Sequence, residues 1–394
     1  MTNRAHIGVG LISVGWMGRL HSRAYLAAPR HYPDLPVTCE LVVAADPDPH
    51  SRAHATEILG YREAVADYAQ VLDRDDVDVV SICSPNFLHH EIALAAIAAG
   101  KPFWIEKPMG RSVAESSEIA RGAAAAGLMT AVGFNYRHAP AVAHARKLVS
   151  EGALGTITNV RVALIADYSA DPDGALTWRF QRERAGTGVL GDLLSHGADL
   201  AQYVVGRIAS VSGMTETFIR ERPLPASGAA SHFSKGASDA PRGHVENEDY
   251  AAVLARFDSG AVGVLESSRV AIGPRAEYRL EVYGTKGSLR WDFQRLNELQ
   301  LADDTAGYRA IMVGPGYGDF ANFQPGAGTS MGFDDLKTIE ASLFLRSVGE
   351  GRQLAPSAAD AWSASEIVDS AVRSAASGAW TPVAAVEGTT TYDA

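Results

Sequence analysis

Residues 5–18 read AHIGVGLISVGWMG. An apolar, β-branched run ends in Ser13–Val14–Gly15–Trp16–Met17–Gly18, and WMGRLHSRAYLAA (16–28) follows with helical spacing. A strand that turns tightly into a helix is the opening unit of a parallel sheet. The alternation continues outward. A second apolar run at 38–46 leads into a helical stretch at 50–59, and VDVVSICS (77–84) precedes a helix over 89–99. PFWIE (102–106), a helix near 114–126 and LMTAVGFN (128–135) complete the series. Continuous apolar strands between amphipathic helices predict an α/β fold, a doubly wound Rossmann domain over residues 1–136.

Beyond residue 150 the strands come in succession, at 156–168, 210–219, 248–257, 261–271, 276–284 and 287–293. Asp258–Ser259–Gly260 and Gly284–Thr285–Lys286–Gly287 read as hairpin connections. Residues 137–394 are therefore expected to form an α+β domain with a large, mostly antiparallel open sheet. Its Ala-rich helix over 357–377 is expected to pack back on the first domain. Stretches 221–245 and 301–332 are rich in Gly, Pro, Ala and Ser and read as long loops. Tyr308, Tyr317, Phe320 and Phe323 in the second are expected to carry part of the specificity.

The 394 residues exceed one comfortable core, in line with two domains. Lys and Arg number 35 against 46 Asp and Glu, a net charge of −11 that disfavours nucleic acid and anionic lipid as partners. Cys39 and Cys83 sit in apolar runs and read as buried thiols of a reducing compartment. No apolar run approaches a membrane span, and the start carries no signal-peptide pattern, so the expected location is the cytoplasm.

The turn at 13–18 is similar to the GxGxxG dinucleotide fingerprint with serine in the first place. Gly15 lets the backbone approach a pyrophosphate and Gly18 allows close helix–strand contact, while Trp16 and Met17 fill the variable places. Phosphate oxygens would lie on the N–H groups at the helix start. Ser13 fits the first place if its φ is negative. Asp46 ends the second strand, 28 residues after Gly18, with the insert at 29–36 accounting for the long offset. A carboxylate there accepts from both ribose hydroxyls and repels a 2′-phosphate, which favours NAD over NADP.

Residues 101–109 read KPFWIEKPM after CSPNFLHHEIALAAIAAG, and GFNYR (133–137), EGALGTI (151–157) and GDLLSHGAD (191–199) follow. With Ser84–Pro85–Asn86, His89 and Glu106–Lys107–Pro108, these motifs resemble the glucose–fructose oxidoreductase / inositol dehydrogenase / MocA family along nearly the whole chain. ADPDGALTWRF and AGTGVLGDLLSH are similar to its sugar-oxidising members. The resemblance implies a lysine, aspartate and histidine trio, carried here by Lys107, Asp192 and His196, with a Lys–Pro peptide that is often cis. It also places Ser84, Asn86, His89 and Glu106 around the ribose and nicotinamide, although His89 reads equally well as a helix-start residue. A dimer or tetramer joined through the open sheet face is the expected assembly.

The chemistry is readable without the family. His196 and Asp199 fall within about 40° of Asp192, on one face of a helix over 191–205. Ionisable groups on an otherwise apolar helix suit a polar cleft better than a core. His196 has the right basicity to take a hydroxyl proton near neutral pH. Lys107, at a strand end where Rossmann ligands bind, would stabilise developing alkoxide charge, and Asp192 would place the hydroxyl and balance Lys107. A lysine at this spot would compete with a cation, so no metal is expected. Tyr136, Trp178 and Arg179 are candidates for contact with sugar hydroxyls or the carboxamide, with plain core equally open for Trp178. The expected activity is oxidation of a secondary hydroxyl on a cyclic polyol, sugar or anhydrosugar. An NAD-retaining glycoside hydrolase and a non-enzymatic sugar or NAD sensor are the alternatives.

Overall fold

The computed structural model describes residues 5–225, 234–236 and 239–390. In the first third, strand and helix alternate as β1 (Ala5–Ile12), α1 (Trp16–His31), β2 (Val37–Ala45), α2 (Pro49–His54), β3 (Glu63–Val65) and α3 (Ala69–Leu72). They continue as β4 (Val79–Ile82), α4 (His89–Ala98), β5 (Phe103–Ile105), α5 (Val113–Ala125) and β6 (Thr130–Val132). The six strands pair in the order β3-β2-β1-β4-β5-β6, all parallel. The order reverses beside β1, so the crevice at the carboxyl ends of β1 and β4 is where a ligand of such a sheet sits.

Helix α6 (Pro140–Ser150) leads to β7 (Ile157–Ala166), α7 (Arg182–Ala185) and α8 (Ser195–Val205). Next come β8 (Ile208–Glu216), β9 (Glu221–Pro223), β10 (Arg242–His244), β11 (Tyr250–Phe257), β12 (Val262–Ser268), β13 (Ala276–Gly284) and β14 (Gly287–Asp292). The chain closes with β15 (Glu298–Asp303), β16 (Arg309–Met312), α9 (Phe333–Glu350), α10 (Ala358–Ser377) and β17 (Thr381–Pro382). Nine strands form the second sheet in the order β16-β15-β14-β13-β7-β12-β11-β8-β17, and only the β7–β12 pair is parallel. One face is packed. Along β11, Ala251, Val253, Ala255 and Phe257 point into the core, whereas Leu254 and Arg256 point out. Met214, Val262 and Val264 join Leu254 on the outer face. Helix α10 lies against β8 and α8 and also against α5 and β6. There Val132 N–H donates to the Pro356 carbonyl at 2.8 Å and the Ser116 and Ser365 hydroxyls meet at 2.9 Å.

Several expectations change. Helix α1 continues through Pro29 to His31, so the long offset to Asp46 is partly an extra helical turn. The three-residue β3 is too short to show a period. Stretch 301–332 is not a single loop, because β15 and β16 extend the sheet into it. Its aromatics pack locally. Phe320 is fully buried, Phe323 stacks on His31 with ring centroids 4.4 Å apart, Tyr317 meets His144 at 4.6 Å, and the Ser288 hydroxyl donates to Tyr308. Phe320, Phe323 and Tyr317 pack inward or against neighbouring rings, whereas Tyr308 stays exposed just before β16. The ends of stretch 221–245 pair as the β9–β10 hairpin, and residues 226–233 and 237–238 lie outside the described residues.

Ser13 has φ of +76°, the one non-glycine with positive φ among the described residues, against the negative value expected of a serine. The turn that aims α1 at the crevice imposes this backbone whatever residue occupies it. A left-handed L-residue costs roughly 1–2 kcal/mol. Ser13→Gly is therefore expected to raise the unfolding free energy by about 1 kcal/mol in urea titrations, and a loss of stability would contradict the assignment of strain.

Candidate active site

The nucleotide side of the crevice is built by backbone. Gly15 caps α1 without a side-chain hydrogen bond, which leaves the first N–H groups of the helix for an anion. A Cβ at Gly18 would collide with the Ser13 carbonyl, so the helix and strand meet as closely as the fingerprint requires. Trp16 is 65% exposed and stacks on Phe333 at 5.8 Å, and Met17 is half-buried beside it. Asp46 follows β2 and accepts the Val14 N–H at 2.8 Å and its second oxygen the Asp48 N–H at 2.9 Å. Each oxygen keeps a lone pair for a ribose hydroxyl. The Ser84 hydroxyl and Asn86 Oδ1 are buried without hydrogen-bond partners at the end of β4. Buried polar atoms are rarely left unpaired, and these two fit the polar groups of a dinucleotide. Asn86 Nδ2 is held by the Ala185 carbonyl at 3.1 Å.

Two residues expected around the ribose and nicotinamide are turned inward. The ring nitrogens of His89 face the Pro108 and Ser84 carbonyls at 2.9 and 2.8 Å, so the ring clamps the β4 loop to the Lys107–Pro108 peptide, which is cis. Burial holds its pKa below the ordinary histidine value. Glu106 Oε1 takes His21 Nε2 at 2.9 Å and Lys337 Nζ at 2.6 Å, inside the protein. Both side chains lie at the crevice in sequence but satisfy interior partners instead.

The reacting end joins the two sheets. From the end of β5, Lys107 Nζ reaches Asp192 Oδ1 at 3.2 Å and the Asp192 carbonyl at 2.7 Å. The Tyr168 hydroxyl donates to Asp192 Oδ2 at 2.6 Å. Burial would raise the Asp192 pKa, but the charges of Lys107 and Arg179 and the Tyr168 hydrogen bond outweigh it and hold the carboxyl far below the usual range. His196 follows in the first turn of α8. Burial, and then the Lys107 charge, keep its ring well below the ordinary histidine pKa, and its buried Nδ1 has no hydrogen-bond partner. Tyr136 lies 4.7 Å from the His196 ring and 5.4 Å from Tyr278, and Phe293 and Phe333 extend this aromatic wall towards Trp16. Trp178 stands edge-on to Phe87 at 5.7 Å, with the Arg179 guanidinium 4.4 Å above its ring.

Asp199 departs from the expected face. Residues 190–194 form a wider π turn, which breaks the 100° step on which the shared face rests. Its carboxylate pairs instead with buried Arg137, which also reaches Asp360 of α10 at 3.2 Å. Burial pushes Asp199 up to about 6 against the pull of Arg137. Asp199 is thus a structural ion-pair member. Sequence reasoning missed Tyr168, Tyr278, His21 and Lys337. Nothing local marks them, since each gains its role from partners dozens to hundreds of residues away.

A doubly wound sheet with this turn, and a lysine–aspartate pair beside an unprotonated histidine, define an NAD-dependent oxidoreductase. Comparison with known proteins gives the family. Residues 7–134 match the model for the oxidoreductase family with an NAD-binding Rossmann fold, and residues 142–290 match the GFO/IDH/MocA C-terminal domain. The chain belongs to the GFO/IDH/MocA family. It is 37% identical to levoglucosan dehydrogenase of Pseudarthrobacter phenanthrenivorans over 96% of this chain and 98% of that protein. Inositol 2-dehydrogenase of Rhizobium meliloti is 26% identical over 93% of this chain and 96% of its own length. A solved complex of levoglucosan dehydrogenase with NADH and levoglucosan superposes with a TM-score of 0.90 at 36% identity, covering 96% of this chain and 100% of that one.

Asp46→Ala removes the acceptor of the Val14 and Asp48 N–H groups and tests the ribose contact expected from the sequence. NAD affinity measured by titration calorimetry is expected to fall by about 1.5–3 kcal/mol, with preference over NADP narrowed. Unchanged affinity and preference would remove Asp46 from the cofactor site.

Proposed function

We propose that this enzyme oxidises a secondary hydroxyl of a cyclic polyol, sugar or anhydrosugar. The observation that carries the reading is the Lys107–Asp192 pair beside His196, whose ring nitrogen is buried and unpartnered. Bound NAD supplies the hydride acceptor. Removing hydride from a carbinol carbon requires that its hydroxyl proton leave at the same centre. His196, held unprotonated by burial, takes that proton. Lys107 directs its ammonium at the reacting oxygen and stabilises the charge that develops there. Asp192, pinned by Tyr168, keeps Lys107 in place and balances it. Tyr136 packs beside His196 and helps wall the site, and Trp178 and Arg179 are the candidates for contact with sugar hydroxyls. Relatives named for levoglucosan and inositol support a cyclic substrate.

The exposed apolar residues Met214, Leu254, Val262 and Val264 on the outer sheet face support a homo-oligomer built through a second copy of this chain. We place the enzyme in the cytoplasm, where a nicotinamide pool is at hand and the thiols of Cys39 and Cys83 stay reduced.

Initial NADH formation with inositols, aldoses, anhydrosugars and glycosides tests the reading. Rapid NAD reduction by a cyclic polyol or sugar is expected, and cleavage of a glycoside without net NADH would replace it with a hydrolase. His196→Ala is expected to lower kcat by roughly 10²–10⁴-fold with NAD binding retained. An unchanged kcat would remove the base. Because the base acts unprotonated and its pKa is lowered, the acid limb of kcat/KM should fall below the ordinary imidazole value of about 6.5. A limb at or above that value would contradict the assignment.

A further inference from the structure

Behind the reacting end lies a second set of charges that the proposed reaction leaves unused. Lys337, on α9, is 1% exposed. Its Nζ donates to Glu106 Oε1 at 2.6 Å and reaches Glu340 Oε1 at 3.4 Å. His21 Nε2 meets the same Glu106 oxygen at 2.9 Å, and its ring stacks on Trp104 at 3.4 Å. Trp104 Nε1 donates to Glu340, and the Lys337 ammonium stands 5.4 Å from the Trp104 ring centroid. Burying an ion pair is often no better for stability than apolar residues of the same volume. Holding α9 against α1 does not by itself call for a lysine.

The position of Glu106 supplies a reason. It immediately precedes Lys107, and its carboxylate lies against Gly133, where a Cβ would collide with it. The next residue, Phe134, packs edge-on to the His196 ring at 5.9 Å, and Tyr136 packs on it at 4.7 Å. A carboxylate left uncompensated at this point would draw a proton onto His196.

We propose that Lys337 is a positioning residue for the reaction, fixing the Glu106 carboxylate at the end of β5 and cancelling its charge beside His196, so that the imidazole keeps its lone pair for the substrate. The proposal rests on the assignment of His196 as the base. The groups that face Lys337 are Glu106 and Trp104 from β5 and its end, Cys83 after β4, His21 from α1, His138 before α6, and Glu340 on its own helix. Burial holds His21 at about 4 and His138 at about 3, and pushes the Cys83 thiol up. Burial pushes the Glu340 carboxyl up, whereas Glu106, despite its burial, is held low by Lys337 and His21. Glu106 is therefore the carboxylate that answers the Lys337 charge most directly, at 2.6 Å. Both pairs, Lys107 with Asp192 and Glu106 with Lys337, act on His196 through their charges.

The test reads His196 directly, by titrating imidazole NMR signals of the full chain without substrate, with the His196 signal identified by its loss in His196→Ala. Lys337→Met removes the positive charge and should move the His196 midpoint upward. Glu106→Gln should move it downward, and the double variant should return it close to the unaltered protein. The acid limb of kcat/KM should follow in the same directions. Midpoints that stay put in both single variants, or that move the same way in both, would overturn the proposal. If Lys337→Met does not fold, a midpoint lowered by Glu106→Gln and restored in the double variant supports the proposal, and a midpoint that Glu106→Gln leaves in place or raises overturns it. The expected shifts in a protein that reduces no NAD would support the charge balance and fault the assigned reaction instead.

Discussion

The Lys107–Asp192 ion pair ties the two halves of the chain together at the place where they can act. Lys107 is fixed by the end of β5 in the first sheet, and Asp192 by the π turn that leads into α8 over the second. Each favours the other, since a partly buried carboxylate or ammonium is better placed with an opposite charge beside it. Tyr168 completes the arrangement from just beyond β7, so the contact draws on both sheets and one loop. With the pair in place, the crevice of the Rossmann sheet ends on a fixed ammonium rather than on solvent. His196, in the first turn of α8, is held below the ordinary histidine pKa chiefly by burial, and the Lys107 charge adds to it.

Around this contact the protein is held by other buried charges. Arg137 joins Asp199 of α8 to Asp360 of α10, which locks the helix carrying His196 onto the C-terminal helix. Glu106, His21 and Lys337 join β5, α1 and α9 beneath the reacting end. A site built on such networks resists small displacements, because moving one member leaves a charge unpaired in a low-dielectric interior. Positioning within fractions of an ångström is what hydride and proton transfer from one alcohol demand.

Much of this was legible in the sequence. The alternation of apolar strands and helices predicts the parallel sheet, and the family resemblance implies the Lys107, Asp192 and His196 trio, of which Lys107 and Asp192 are in contact. What was not legible is tertiary. The left-handed backbone at Ser13 belongs to the turn and not to serine. His89 and Glu106 occupy crevice positions in the chain, yet their polar atoms are claimed by Pro108, Ser84, His21 and Lys337. Asp199 looked like a cleft residue because ideal helical spacing ignores the π turn. The aromatics of 301–332 looked like a binding surface because they are separated by glycines, and only the packed structure shows Phe320 in the core and Phe323 against His31. Lys337 lies 231 positions from Glu106, beyond any local pattern.

The central claim is that one alcohol carbon gives up its hydrogen to the nicotinamide while His196 removes the hydroxyl proton. Tracing deuterium tests it most directly: a cyclic polyol or sugar that the enzyme oxidises is labelled at the carbinol carbon, and the recovered NADH is analysed by mass spectrometry. The account predicts one deuterium in each NADH formed. Unlabelled NADH, or deuterium returned to a cleaved sugar with no net NADH, would contradict it.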